Sequence, residues 1–181
     1  LGLVYMAKKR YDLAENHFKK ALDFKNDYIH AKNHLGAAYL KQKKWNLAIQ
    51  CFEDVSKNLL YATPEIPYSN LGYAYFQQKM YRKAKTYYEK SLEIEPNFLN
   101  AIHGIALINL ETGEYYQAID FLNRALKKNP SAVILHSDLA KTYEKIHDFK
   151  NAIRSWNTVI ELAPDASPLS REAQKRLLQL N

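Results

Sequence analysis

The sequence has little cysteine, glycine and proline. Its 181 residues include one cysteine, Cys51, five glycines and six prolines. A single thiol can form neither an internal disulfide nor a cysteine-based zinc site, which needs at least about two thiolates. Sparse glycine and proline disfavour an all-β fold with many tight turns. We therefore expect an all-α chain, and its hydrophobic content of 47 % is enough for a continuous core.

Long apolar runs are also missing. No stretch reaches the roughly 18 to 20 apolar residues that a membrane-spanning helix requires, and the mean hydropathy is −0.47. We therefore expect no transmembrane segment in this piece. The first residues lack a charged start followed by an apolar stretch, so no signal peptide is predicted within them.

Catalytic and cofactor motifs are absent as well. No GxxxxGK[ST], GxGxxG or GxSxG pattern occurs in the sequence. His30 and His34 have the four-residue spacing of a helical metal pair, but neither an HExxH pattern nor a nearby cysteine supports a metal site. We predict that the protein is not an enzyme and that it has no metal site and no cofactor.

The chain does contain a repeat. A small residue recurs at intervals of 34, 36, 34 and 34 residues, at Gly2, Gly36, Gly72, Ala106 and Ala140. An alanine follows twelve residues later in every unit, at Ala14, Ala48, Ala84, Ala118 and Ala152. A large apolar residue follows four further on, at Phe18, Phe52, Tyr88, Leu122 and Trp156. Two apolar stripes of helical spacing per unit predict a helical hairpin.

Two further columns complete each unit. A tyrosine stands three residues after the small residue at Tyr5, Tyr39, Tyr75 and Tyr143, and Asn109 breaks this column. Proline, which cannot continue a helix, closes the later units at Pro96, Pro130 and Pro164.

This pattern resembles the tetratricopeptide repeat family along essentially the whole chain. The unit IPYSNLGYAYFQQKMYRKAKTYYEKSLEIEPN matches the family columns at Tyr68, Leu71, Gly72, Tyr75, Ala84, Tyr88 and Pro96. The resemblance implies an all-α fold, a right-handed α-solenoid of stacked antiparallel helix hairpins. It would contain about five units, the first truncated, and a C-terminal capping helix.

We expect one repeat domain over residues 1–181. Its parts are a partial repeat at 1–28, repeats at 29–64, 65–98, 99–132 and 133–166, and the capping helix at 167–181. The first unit starts inside its first helix, so we expect the repeat to extend upstream of Leu1. The 36-residue interval has two extra residues around Leu59, Leu60 and Tyr61. They either pack on the next hairpin or form a docking point for a partner.

In this family the first helices of the hairpins line a concave groove that binds peptides or helices. The predicted groove residues are Asn33, His34, Leu40, Asn70, Tyr73, Phe76, Gln77, His103 and Leu107. Their mixture of apolar, amide and imidazole groups suits a peptide held by side-chain anchors and backbone hydrogen bonds. Tyr73 and Phe76 are the candidate anchors, unless a neighbouring hairpin covers them.

The formal net charge of +7 is concentrated near the start of the chain, where residues 1–50 hold ten lysines and arginines against four acids. Turns inside hairpins are predicted to form a basic edge of Lys8, Lys9, Arg10, Lys41, Lys43, Lys44, Lys79, Arg82 and Lys83. This edge is either solvated or in contact with an acidic protein or membrane head groups. A nucleic-acid partner is disfavoured because few aromatic residues accompany these cations.

These observations predict a non-catalytic scaffold that binds a peptide or protein segment in its groove. Alternatively, the segment LLYATPEIPYSNLGYAYFQQKMYRKAKTYYEKSLEIEPN is similar to bacterial type IV pilus biogenesis lipoproteins of the pilotin type. That resemblance implies a pilus and secretin assembly role at the outer membrane, with a lipoprotein signal upstream of Leu1. Two more hypotheses are a self-assembling unit that associates through its open N-terminal hairpin, and a repeat module of a larger enzyme. The sequence leaves the compartment open: we expect it to be cytoplasmic, or periplasmic and attached to the outer membrane if that upstream lipoprotein signal exists.

Overall fold

The computed structural model describes residues 1–58 and 61–180, which form eleven helices and no strand. The helices are α1 Gly2–Ala7, α2 Tyr11–Phe24, α3 Ile29–Lys41, α4 Trp45–Ser56, α5 Glu65–Gln77, α6 Tyr81–Ile94, α7 Leu99–Thr112, α8 Tyr115–Lys128, α9 Val133–Lys145, α10 Phe149–Leu162 and α11 Pro168–Leu180. This confirms the predicted all-α fold. The chain divides into two compact units, Leu1–Pro96 (unit 1) and Asn97–Asn181 (unit 2).

Unit 1 consists of three helical hairpins, α1 with α2, α3 with α4, and α5 with α6. In each hairpin a glycine of the first helix lies against an aromatic ring of the second. A Cβ atom built on Gly36 would lie 2.8 Å from the Phe52 ring, and one on Gly72 would lie 2.7 Å from the Tyr88 ring. Carbon atoms normally pack at about 3.5–4 Å. The glycine column therefore allows the helices of unit 1 to approach more closely than any side chain would permit.

The alanine column lies inside the core of unit 1. Ala14, Ala48 and Ala84 are completely buried, as are Phe52 and Leu71. Each large apolar side chain removed from water contributes about 1.5–3 kcal/mol. Small and large residues therefore alternate where the helices of a hairpin meet.

The turn inside each hairpin contains one residue with a left-handed backbone. In unit 1 these residues are Lys9, Lys43 and Lys79, with φ of 57°, 59° and 59°. In unit 2 they are Gly113 and His147, with φ of 79° and 59°. A side chain makes this conformation unfavourable by roughly 1–2 kcal/mol, whereas glycine adopts it freely. Four of the five turns therefore contain strained backbone.

Unit 2 consists of two hairpins, α7 with α8 and α9 with α10, followed by α11, which packs on α9 and α10. Ala106 and Ala140 take the places that glycine occupies in unit 1, and both are completely buried. Trp156, also completely buried, lies in a core cluster with Ala140 and Val159. The larger Ala side chain is thus accommodated at these two positions.

The predicted capping helix is present as α11, which begins at Pro168. Its buried Ala173 belongs to the Trp156 cluster, and Leu169, Leu177 and Leu180 pack against that cluster. α11 therefore covers the apolar side of the α9–α10 hairpin.

The polar side of α11 is also in contact with α9. The guanidinium of Arg176 lies 3.5 Å from the Glu144 carboxylate of α9. Helical spacing alone does not show this contact, because it depends on how α11 packs against α9.

The longer interval between the second and third hairpins is described in part. Leu59 and Leu60 lie outside the described residues. Tyr61 is buried at 7 % exposure, and its ring lies 5.5 Å from the ring of His30 on α3. Tyr61 therefore packs against the hairpin that precedes it, and its side chain offers little surface for docking a partner.

Candidate protein-binding site

The first helices of unit 1 carry an exposed aromatic group. α3 and α5 are in contact. Tyr73 of α5 keeps 41 % of its surface exposed and meets Trp45 edge-on, with ring centroids 6.3 Å apart. Phe76, one turn later, is half-buried against Tyr81 at 5.6 Å. Edge-on and tilted contacts are the favoured geometries for aromatic pairs, so these rings are held in fixed positions.

Amide groups border these rings. Asn70 is half-buried and Gln77 is exposed. Neither side chain has a hydrogen-bond partner within the described part of the chain. We call Asn70, Tyr73, Phe76 and Gln77 the α5 surface. It combines apolar contact area with free donors and acceptors.

His34 of α3 supplies an imidazole. It is half-buried and stacks on Phe18, with ring centroids 5.5 Å apart. Burial lowers the pKa of His34, and the nearby His30 lowers it further. Both effects favour the neutral ring, which can donate or accept a hydrogen bond without a charge.

The other two predicted groove residues of α3 are less accessible. Asn33 is buried at 8 % exposure, and its Oδ1 atom has no hydrogen-bond partner within residues 1–58 and 61–180. Leu40 is half-buried. Asn33 therefore offers almost no surface to a partner. Sequence periodicity could not show this because the burial depends on how α3 packs on its neighbours.

In unit 2 the predicted groove residues are His103 and Leu107, both on α7. The Nδ1 atom of His103 on α7 lies 2.6 Å from the Asp138 carboxylate of α9. Asp138 is completely buried, and its second oxygen has no partner among the residues that the structure describes. Burial raises the pKa of Asp138, while the hydrogen bond with His103 opposes that shift. Leu107, the last predicted groove residue, is half-buried.

A polar network continues from α9 to α11. Lys141 pairs with Glu172 at 3.0 Å, and its ammonium group lies 5.8 Å from the centre of the Trp156 ring. Glu144 accepts a hydrogen bond from Trp156 Nε1 at 2.6 Å as well as the contact from Arg176. The charged groups on this surface are therefore largely satisfied within unit 2.

The predicted basic edge is only partly free. Lys44 binds Glu15 at 2.7 Å, Arg10 lies 3.6 Å from Asp12, and Lys83 lies over the Tyr75 ring at 5.4 Å. The remaining members are exposed and have no partner within the described ranges: Lys8, Lys9, Lys41, Lys43, Lys79 and Arg82. Six cations of unit 1 are thus available to solvent or to a partner.

Glu15 organises a network that the sequence did not reveal. Its carboxylate is 10 % exposed and accepts hydrogen bonds from Lys19 and Lys44, both at 2.7 Å, and from Gln42 at 2.9 Å. Burial alone would raise the pKa of Glu15, but these three donors together lower it to about 2. Only the Lys19 partner, one helical turn away, could have been predicted.

The first helix of the chain leaves apolar side chains exposed. Leu1, Leu3 and Val4 keep 81 %, 57 % and 50 % of their surface in solvent. These are the residues that the self-association hypothesis requires. That hypothesis stays a prediction.

The tetratricopeptide repeat models of the family match residues 1–28, 66–98 and 99–131. These segments together make up just over half of the chain. The chain belongs to the tetratricopeptide repeat family. The family explains the glycine, alanine and aromatic columns described above.

Two curated relatives of this repeat protein come from organisms that are distant from each other. Anaphase-promoting complex subunit 3 of Schizosaccharomyces pombe is 26 % identical over 146 residues, covering 81 % of this chain and 22 % of the relative. Type IV pilus assembly protein PilF of Pseudomonas aeruginosa is 27 % identical over 147 residues, covering 80 % of this chain and 58 % of PilF. The chain therefore spans about a fifth to three-fifths of the length of these two relatives.

A solved structure shows the same fold. It is that of a thermophilic tetratricopeptide repeat protein of Thermus thermophilus, with a TM-score of 0.77 and 24 % sequence identity. The match covers 98 % of this chain and 96 % of that protein. The agreement supports the hairpin architecture.

The remaining groups of chemical interest are the potential metal ligands and the Cys51 thiol. Within residues 1–58 and 61–180, no three His, Cys, Asp or Glu side chains are grouped so that they could hold a metal ion. Burial raises the pKa of the Cys51 thiol to about 11, so the thiolate is scarce at neutral pH. Of the helices in these ranges, none combines the length and apolar character of a membrane span.

Proposed function

We propose that this chain is a non-catalytic scaffold that binds a peptide or protein segment on the first-helix surface of its hairpins. The observation that carries this proposal is the α5 surface. Tyr73 keeps 41 % exposure although Trp45 holds it in place. A fixed, exposed ring can bury apolar area on binding at little cost in conformational entropy.

The hydrogen-bonding groups around that ring support the same proposal. Asn70 and Gln77 have free amides in the described part of the chain. The side-chain amide can both donate to and accept from a peptide backbone. A segment lying across α5 would therefore find an exposed aromatic ring and partners for its backbone hydrogen bonds together.

The relatives are consistent with a scaffold. Their names denote a subunit of a complex and a protein of pilus assembly. Both names describe proteins that act together with other proteins. The resemblance to PilF also supports a second candidate, a role in type IV pilus assembly.

Peptide selection tests the first proposal. A displayed random-peptide library would be selected on the wild-type chain, and the affinity of the selected peptide measured by fluorescence anisotropy. We expect Tyr73→Ala and Phe76→Ala to weaken binding by about tenfold or more each, because buried aromatic anchors contribute at least about 1.4 kcal/mol. Tyr116→Ala is the matched control, since Tyr116 is a 75 % exposed ring on α8.

The outcome that would contradict the proposal is clear. If the selected peptide binds the Tyr73 and Phe76 variants as well as it binds the Tyr116 variant, the α5 surface is not the binding site. Circular dichroism of each variant checks that the helices remain folded.

Complementation tests the second candidate. The chain would be fused to the export leader of PilF and expressed in a Pseudomonas aeruginosa strain that lacks PilF. Restored twitching motility would support the pilus-assembly candidate. A correctly exported chain that restores no motility would remove it.

A further inference from the structure

A cleft of about 510 Å³ lies in unit 2, between α8 and α10. Its apolar lining comes from Leu126, Leu139 and Tyr143. A volume of this order is typical of ligand-binding clefts. Leu139 and Tyr143 follow one stripe of α9, whereas Asp138 and Lys141 follow the opposite stripe. The cleft is therefore separate from the first-helix surface, and the inference below does not depend on the proposed function.

A comparison with unit 1 explains why the cleft exists. The fifteenth residue after the small residue of a hairpin differs between the units. It is Tyr87 in the third hairpin of unit 1 and Ser155 in the second hairpin of unit 2. The Tyr87 ring stacks on Tyr75 at 5.3 Å, with an interplanar angle of 4°. Tyr143 corresponds to Tyr75, but Ser155 provides no ring to stack on it. The missing aromatic side chain leaves the space open.

The charge beside the tyrosine also differs between the two units. In unit 1, Glu53 of α4 lies 3.4 Å from the Tyr75 hydroxyl. The corresponding residue of α8 is Asn123, which lines the cleft. The acid is therefore replaced by a neutral amide.

Two cations complete the cleft. Lys127 and Arg154 line it, both are exposed, and neither has a partner within residues 1–58 and 61–180. No Asp or Glu is part of the lining. The nearby Asp148 accepts a hydrogen bond from Asn151, another lining residue, at 2.7 Å. The cleft is thus positively charged, with an apolar inner surface.

We propose that this cleft binds an acidic peptide segment of a partner protein. A carboxylate of the segment pairs with Arg154 and Lys127, and an apolar side chain next to it packs on Leu126 and Leu139. Charge-assisted hydrogen bonds from a guanidinium are strong and geometrically specific. Nucleic acid fits less well, because two cations and the rings of Tyr143 and His136 form neither an extended basic track nor an extended stacking platform.

The experiment uses the 181-residue chain and a defined probe. The probe is a fluorescein-labelled peptide of alternating glutamate and leucine, titrated by fluorescence anisotropy at low ionic strength. A peptide with glutamine in place of glutamate is the probe control. The variants are Arg154→Gln, Asn123→Glu and Ser155→Tyr, the last two of which restore the residue types of unit 1.

Lys57→Gln is the matched protein control. Lys57 is exposed and is the unit 1 counterpart of Lys127. The Lys57→Gln substitution changes the net charge by the same amount as Arg154→Gln. Tyr73→Ala is the second control, because it removes the anchor of the proposed function and leaves the cleft intact. These controls separate a local effect from net charge and from binding at the α5 surface.

We expect the wild-type chain to bind the glutamate peptide and not the glutamine peptide. Arg154→Gln and Asn123→Glu should each weaken binding about tenfold or more, because each disturbs a charge-assisted contact. Lys57→Gln and Tyr73→Ala should leave the affinity within about twofold. Ser155→Tyr should abolish binding by filling the cleft.

Several results would overturn the proposal. They are no binding by the wild-type chain at about 1 mM peptide, equal losses for Arg154→Gln and Lys57→Gln, or equal binding of the two peptides. A DNA duplex that binds more tightly than the peptide and depends on Arg154 would assign the cleft to nucleic acid instead. Asn123 is exposed, so Asn123→Glu remains informative even if Ser155→Tyr fails to fold.

Discussion

Unit 1 and unit 2 follow the same repeat columns but fill them differently. In unit 1 the small residue is glycine, and an aromatic ring rests directly on its backbone. In unit 2 the small residue is alanine, and completely buried Trp156 and Leu122 stand at the ring positions. The hairpin therefore tolerates either solution, provided that the small residue and its large partner change together.

The surfaces of the two units differ as well. Unit 1 contains sixteen lysines and arginines against ten acids, and unit 2 contains ten against nine. On its first helices unit 1 presents the exposed ring of Tyr73, whereas unit 2 pairs His103, Lys141 and Glu144 with groups of its own. The same backbone can thus carry an open first-helix surface in one unit and a largely self-paired first-helix surface in the other.

The largest expected effect is at the glycine column. Gly36→Ala would place a Cβ atom 2.8 Å from the Phe52 ring and 3.1 Å from Cys51. We expect a loss of about 3 kcal/mol in the free energy of unfolding, because Phe52 is completely buried and cannot move aside. Urea unfolding followed by circular dichroism measures it.

Ala140→Gly in unit 2 is the reciprocal change. It should cost only about 1 kcal/mol, from helix propensity and lost contact. Equal losses for the two substitutions would show that the units do not differ in how closely their helices approach.

The second effect concerns Glu15. Its folded pKa of about 2 lies below the ordinary 4.5, so the ionised form stabilises the fold. This stability is fully present above about pH 4.5 and is lost as the pH falls towards 2. We expect Glu15→Gln to lower the free energy of unfolding at pH 7 by about 2 kcal/mol, a figure reduced for screening because Lys19 and Lys44 are about half exposed.

Measurements at two pH values check this prediction. At pH 2 the variant and the wild type should have nearly equal stability. Asp120→Asn is the control. It removes an exposed ion pair with Arg124 and should have little effect at either pH. A Glu15→Gln loss that does not depend on pH would refute the electrostatic explanation.

The third effect has the opposite sign and lies in unit 2. Burial raises the pKa of Asp138, so its ionisation opposes folding. The Asp138 carboxyl contributes its full stability to the fold below its unfolded pKa. That stability is lost as the pH rises through its folded pKa. We expect the free energy of unfolding of Asp138→Asn, relative to that of the wild type, to increase as the pH rises through the folded pKa of Asp138, because the substitution removes a charge whose burial is unfavourable.

A double-mutant cycle with His103→Ala measures how much the ion pair offsets this cost. We expect His103→Ala to destabilise the wild type more than it destabilises the Asp138→Asn variant. If Asp138→Asn is itself strongly destabilising, the pair with His103 outweighs the cost of burial.

The smallest expected effects concern the left-handed residues in the turns of the hairpins. Lys43→Gly should raise the free energy of unfolding by about 0.5 kcal/mol, because relief of the left-handed backbone exceeds the added freedom of the unfolded chain. Gly113→Ala should lower it by about 1 kcal/mol, although its Cβ atom would meet nothing within 4 Å. Thermal unfolding of both variants measures the sign of each change in the free energy of unfolding. Changes of the same sign would contradict the role given to φ.

Much of the fold could be predicted from the sequence because the repeat columns report packing directly. Each apolar or small residue of a column faces the same neighbour in every hairpin, so periodicity contains the tertiary information. The capping helix was predictable for the same reason, since Leu169, Ala173 and Leu177 share one helical face.

The site was less predictable because it depends on contacts between elements. Lys44 approaches Glu15 across 29 residues, and the burial of Asn33 and Asp138 follows from how first helices pack. No local pattern contains these contacts. The cleft did have a sequence signal, because Ser155 stands where other units have the larger His17, Cys51, Tyr87 and Phe121.

The central claim is that a partner segment binds on the first helices. Chemical-shift mapping of the isotope-labelled chain, titrated with a peptide selected on it, tests this most directly. The account predicts that the largest shifts fall on α3 and α5, around His34, Tyr73 and Phe76, and disappear in the Tyr73→Ala variant. Shifts confined to the second helices of the hairpins, unchanged by Tyr73→Ala, would contradict it.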